Sequence, residues 1–168
     1  FLNAILTGNP EHSSKNLAEF KKTGLSIKTI QRMKSGLPKE AISFPHFEYD
    51  DLIAEDGDEW EDSELYGMLT NRFLFIALKF TGKGADPIFV KAVFHSLSEA
   101  DLDDARPAWE TAIQRAKEKR YDEMPGQSEN RVIHVRPHDS KDKDGNYRAG
   151  YIRQCFWLNK SYLKDFIK

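Results

Sequence analysis

Ser26 and Lys28 stand two apart in Gly24-Leu25-Ser26-Ile27-Lys28-Thr29-Ile30, whose alternation predicts a strand with both side chains on one face. Glu19 lies seven positions before Ser26 and is followed by Phe20. An acid, a short turn and then x-Ile-Lys on a strand outline a metal-dependent phosphodiester-cleaving core. Such a core needs two carboxylates to hold a hard cation such as Mg²⁺, and a lysine to stabilise the attacking hydroxide or the phosphate charge. Here the second carboxylate position is Ser26, so the outline lacks one of its ligands. The plainer reading is an ordinary amphipathic strand.

The elements that must position these residues read as one α/β core, residues 1–168 forming a single domain of a longer chain; the start at Phe-Leu-Asn, without Met, suggests an excised piece. A short helix or turn is expected near Lys15 to Phe20, and a strand from Gly24 to about Arg32 stopped by Ser35-Gly36-Leu37-Pro38. A second strand, Ala41 to Tyr49, is expected to pair with it as a hairpin. The acidic run Asp50 to Glu64 reads as a solvated loop. A helix carrying Leu65, Met68 and Leu69 follows, capped by Asp62 or Ser63. The runs Arg72 to Phe80 and Pro87 to Leu97 read as central strands. Pro107 suits the first turn of a helix whose face carries Trp109, Ala112, Ile113 and Ala116. Strands at 131–137 and 150–158 flank a polar, mobile loop from His138 to Arg148, and a terminal helix runs from Asn159 to Ile167. Trp157 alternates with Phe156, so one should be core and the other exposed at the sheet end.

Cys155 is the sole cysteine, which excludes an internal disulfide framework, and its apolar neighbours predict a buried thiol in a reducing compartment. No membrane span or signal peptide is read, and a soluble intracellular protein is expected. His12, His46, His95, His134 and His138 form no ligand set, so no metal site is expected of them. Net charge is only −2, which taken globally argues against a nucleic-acid partner. The distribution argues otherwise. Residues 41–66 carry a balance of −10, residues 67–130 of −1, residues 1–40 of +4 and residues 131–168 of +5.

Glu19-Phe20-Lys21-Lys22-Thr23-Gly24-Leu25-Ser26-Ile27-Lys28 resembles the Asp-Phe-x-x-x-Gly-x-Glu-x-Lys pattern of the MutH / Sau-type GATC endonuclease family. Trp60-Glu61-Asp62-Ser63, the helix after it and Arg72-Phe73-Leu74-Phe75-Ile76 resemble that family's helix and next central strand; Trp109-Glu110 resembles the start of its long helix. Val135-Arg136-Pro137 and Phe156-Trp157-Leu158, with the aromatic-containing helix that follows, are similar to its DNA-reading half. The resemblance implies a restriction-endonuclease-like (MutH-like) fold, a central mixed β-sheet flanked by helices. It implies that Glu19, Ser26 and Lys28 are degenerate catalytic positions, and that Met68 is the nearest equivalent of a supporting lysine. It further implies that Val-Arg-Pro opens the loop that reads GATC in the major groove and that Trp157 is an aromatic that enters the duplex. A loop held by Pro137 can aim Arg136 at the guanine N7/O6 edge, with His138, Lys141, Lys143 and Arg148 offering phosphate or base contacts.

The departures fall on the catalytic side and the DNA-reading side is kept, which is similar to the non-cleaving C-terminal effector half of the Sau-type enzyme. The implied partners are double-stranded DNA, the catalytic domain of the same enzyme and, as an open option, a second copy on DNA, in a bacterial cytoplasm with no membrane. The domain would need no cofactor of its own, Mg²⁺ serving the parent enzyme. Two other readings stay open: an active nuclease whose metal site is rebuilt from Glu19 with Glu11 or Glu48 around Lys28, and a protein-interaction or dimerisation module.

Overall fold

A computed structural model describes residues 24–82, 86–138 and 153–167. They form a mixed α/β structure with two three-stranded sheets and flanking helices. The described residues gather into two compact units: one holds 24–40, 70–82, 86–96 and 166–167, the other 41–69, 97–138 and 153–165. The α/β class is as expected, but two sheets stand where one central sheet was expected.

In the first unit β1 (Leu25–Arg32) runs parallel to β3 (Arg72–Lys79), and β4 (Ile88–His95) pairs antiparallel with the other side of β3. Side chains alternate across this sheet. Leu25 and Ile27 pack with Leu74, Ile76 and Leu78, while Phe73 and Phe75 stack on the opposite face with centroids 5.5 Å apart. Phe75 and His95 on that face also meet Phe166. β3 is buried on both faces, as a central strand should be; β4 is not, because it lies at the sheet edge with Ile88, Phe89 and Phe94 exposed. Its apolar density alone could not distinguish these two situations.

After β1 the chain turns through Gly36, whose φ of 84° belongs to the left-handed region that glycine enters without strain. The return makes a bridge from Arg32 to Pro38, with bonds from the Met33 N–H to the Leu37 carbonyl and from the Lys39 N–H to the Gln31 carbonyl. The expected hairpin therefore stops short. Proline has no N–H to extend a ladder, and β2 (Ile42–Phe47) pairs instead with β6 (Gln154–Leu158) in the second unit. Pro45 fits there because β2 is an edge strand with an irregularity between Ser43 and His46.

β6 is the centre of the second sheet, antiparallel to β2 and to β5 (Ile133–Pro137). The acidic run is not simply a loop, since Tyr49–Ala54 forms helix α1 with Leu52 buried. A 3₁₀ turn at Trp60–Asp62 leads to α2 (Glu64–Leu69), where Ser63 Oγ accepts from the Tyr66 N–H at 3.1 Å, the expected cap. The long helix α3 runs Glu99–Lys117, so Pro107 lies inside it and not in its first turn. Its start is set by a reciprocal cap: Ser98 Oγ accepts from the Asp101 N–H, and the Asp101 carboxylate accepts from the Ser98 N–H. Trp109, Ala112, Ile113 and Ala116 are buried along one face of α3 as the spacing predicted. Helix α4 (Lys160–Ile167) closes the described chain. No helix among the described residues is long and apolar enough to cross a membrane.

Candidate functional site

The first candidate site is the Ser26–Lys28 face of β1. Gly24 enters it with φ of 61°, and a Cβ there would lie 3.3 Å from Asn71 Oδ1, so glycine suits the turn for both torsional and steric reasons. Ser26 and Lys28 are half-buried and pair in register with Phe73 and Phe75, which places them on the aromatic face of the sheet. Glu19 lies outside the described residues. Glu48, offered as a replacement acid, sits at the N-cap of α1 in the other unit, 4.0 Å from His46 Nε2. Glu11 lies outside the described residues. Ser26 offers a neutral hydroxyl and Lys28 a cation, a donor set that does not fit Mg²⁺, which seeks anionic oxygens. Among the described residues no three His, Cys, Asp or Glu gather to hold a metal ion. Met68 is half-buried and lines a cavity of about 30 Å³ with Leu52, Leu65 and Phe156 and with the acids Asp51, Glu55 and Glu64.

The second candidate site lies at the far end of the β5–β6 pair. Alternation puts His134, Arg136, Cys155 and Trp157 on one face of this sheet, with Arg136 opposite Cys155 and His134 opposite Trp157. The ladder continues to the His138 N–H, which donates to the Arg153 carbonyl at 3.1 Å. Pro137 and His138 are exposed. Lys141, Lys143 and Arg148 fall on the segment outside the described residues.

Arg136 differs from four arginines of the same unit in what holds it. Arg106, Arg115, Arg120 and Arg131 each bind a carboxylate, whereas Arg136 makes no ion pair among the described residues. Its guanidinium carbon lies 3.8 Å from the centre of the Trp157 ring, and its buried Nε has no hydrogen-bond partner among the described residues. Stacking of this kind is worth about 0.5 to 2 kcal/mol and leaves the in-plane N–H donors uncommitted. A charge held in place by an aromatic plane, with no carboxylate partner among the described residues, is suited to an external acceptor.

Trp157 is 9% exposed and Phe156 is 3% exposed, so the expectation that one of them projects from the sheet end is corrected. Trp157 packs with Ala41 and Cys155, and its Nε1–H donates to the Arg136 carbonyl at 3.3 Å. His138 lies beside the same ring at 5.7 Å. Both faces of β6 are covered, which strand alternation alone does not reveal.

His134 is buried, with Nδ1 2.5 Å from Asn159 Oδ1. The Asn159 amide nitrogen donates to the Asn130 carbonyl at 2.6 Å, so its oxygen faces the imidazole and the ring donates through Nδ1–H. Burial pushes the imidazole below its ordinary pKa; Asn159 works against that shift and the charge of Arg136 adds to it. The sequence reading set His134 aside, and its pairing with Asn159 across 25 residues left no local signal.

No protein-family model matches the chain. Over 196 aligned residues the chain is 27% identical to the type II restriction enzyme Sau3AI of Staphylococcus aureus, an alignment covering 89% of this chain. The chain is a homologue of part of a type II restriction enzyme. It spans 39% of that relative's length, consistent with a match to one domain. Two sheets flanked by helices are compatible with a restriction-endonuclease-like fold, which agrees with the resemblance drawn from the motifs.

Proposed function

We propose that this chain is a DNA-binding domain of the restriction-endonuclease kind that recognises GATC in duplex DNA without cutting it. In this reading it acts as an effector for a separate catalytic half of the same enzyme, in the bacterial cytoplasm, and can dimerise on DNA. It needs no cofactor itself, Mg²⁺ serving the catalytic half. The observation that carries the reading is Arg136, a cation stacked on Trp157 with no carboxylate partner among the described residues, at the strand end that leads to Pro137 and His138. Homology to a restriction enzyme supports DNA as the ligand of that charge. Ser26 in place of a carboxylate supports the absence of cleavage.

Anisotropy titrations of GATC-containing and scrambled duplexes, with and without Mg²⁺, test this directly. Arg136→Ala should weaken binding to GATC by about 1 to 3 kcal/mol and leave scrambled DNA nearly unchanged. Lys141→Ala or Lys143→Ala should weaken both duplexes alike, as phosphate contacts do. Full GATC preference in Arg136→Ala would overturn the assignment. A second reading, a protein-interaction module, draws on the exposed Ile88, Phe89 and Phe94 of β4. Equal affinity for both duplexes, with a flat response to salt, would favour it.

A further inference from the structure

Trp157 stands where the resemblance implies an aromatic that enters the duplex. Its surroundings argue for a different part in recognition. The indole is almost fully buried against Ala41 and Cys155 and is tied by its Nε1–H to the Arg136 carbonyl. The Arg136 guanidinium covers its ring at 3.8 Å. To insert between base steps the ring would have to leave its pocket, break that hydrogen bond and uncover itself from the guanidinium. The same contacts define the orientation of Arg136 from two sides: the backbone is tied through its carbonyl, and the guanidinium plane lies against the indole. A planar fork held in this way loses little rotamer entropy when it bonds two acceptors at once.

We propose that Trp157 is a positioning residue that acts on DNA through Arg136, serving as a fixed platform and not as a wedge. The proposal rests on the reading of Arg136 as a duplex-contacting residue. Trp157 thereby contributes to specificity without touching a base, and the duplex keeps its stacking at that point.

Three measurements on the full chain test this. Without DNA, the Arg136 Nε–Hε resonance should be shifted upfield by the indole ring current, and Trp157→Leu should abolish the shift. In binding, Trp157→Leu should lose roughly tenfold or more of the GATC preference, and the Arg136→Ala/Trp157→Leu double variant should match Arg136→Ala within about twofold. Trp157→Phe, which keeps a ring, should retain most of the preference, which a loss of fold would not explain. A 2-aminopurine placed in the GATC step should stay stacked and dark on binding.

An absent ring-current shift, penalties that multiply in the double variant, or 2-aminopurine fluorescence that rises with the wild type but not with Trp157→Leu would each overturn the platform while leaving Arg136 as the reader. Unchanged preference in Arg136→Ala would instead remove the reading beneath it and the platform together.

Discussion

His134 is the residue whose chemistry most directly couples the sheet to pH. Its folded-state pKa lies below the ordinary imidazole value, so the folded protein holds it neutral while the unfolded chain takes up a proton near pH 6.5. The unfolded state then binds more protons, and stability is full above about pH 6.5 and declines as the pH falls below it. The carboxylates whose pKa is lowered, Asp101, Glu123 and Glu129, contribute their losses below the ordinary carboxylate range, outside the window between about pH 5 and 6.5 in which His134 acts. Thermal melts across that window should show a falling midpoint, flattened in His134→Gln; a midpoint equally steep in both proteins would contradict the assignment. At this scale, the strand-end placement of Arg136 was legible in the sequence because a strand pattern and a proline frame it locally. Glu55 was not. Its carboxylate accepts from the Trp109 indole at 2.6 Å and from the Glu64 N–H at 2.9 Å, and the first partner lies 54 residues away.

Helix α3 shows what one cap organises. Asp101 closes the cap with Ser98, accepts the Tyr162 hydroxyl at 3.1 Å and binds Arg131 at 2.7 Å. Burial would raise its carboxyl pKa, but the bonds from Arg131, Ser98 and Tyr162 outweigh burial and hold it low. Burial, reinforced by the Asp101 charge, pushes the Tyr162 hydroxyl pKa up. Ser98→Ala should therefore cost about 1 kcal/mol, the usual loss of an N-cap. Asp101→Ala should cost more, since it removes the cap and also leaves Tyr162 and Arg131 without their shared acceptor. Denaturant melts of the two variants check the order, and equal losses would show that the link to α4 and Arg131 contributes nothing. The pattern Ser98-Glu99-Ala100-Asp101 carried this start in plain view, but Pro107 is the louder signal and drew the expected boundary inward. Strand identities were legible from alternation and apolar runs. Strand partners were not, because Pro38 ends one ladder and sends β2 to another sheet, a decision made by pairing over distances that no window of sequence spans.

Across the whole molecule, the charge pattern resolves into internal work and external field. Part of the acidic segment is committed inside its own unit, Asp56 to Lys117 at 2.6 Å and Glu55 to Trp109, so its formal balance of −10 overstates the free anionic surface. In the DNA-binding reading proposed above, the positive balances of residues 1–40 and 131–168 would supply the attraction, and affinity should fall with salt at a log–log slope of about −0.9 per phosphate neutralised. Incubation of a GATC plasmid with the protein and Mg²⁺ or Mn²⁺ should leave it intact; cleavage abolished by Lys28→Ala would show that a metal site is rebuilt around that lysine. The parallel pairing of β1 with β3 carries a consequence for synthesis. Leu25 registers with Arg72, 47 positions later, and among the described residues no earlier strand completes that ladder. At about 5 to 20 residues per second, a ribosome would deliver that partner roughly 2 to 10 s after β1 has been made. During that delay Leu25, Ile27 and an unpaired backbone edge are open to other chains, so the yield of native protein should depend on translation speed and on chaperones that shield a nascent strand.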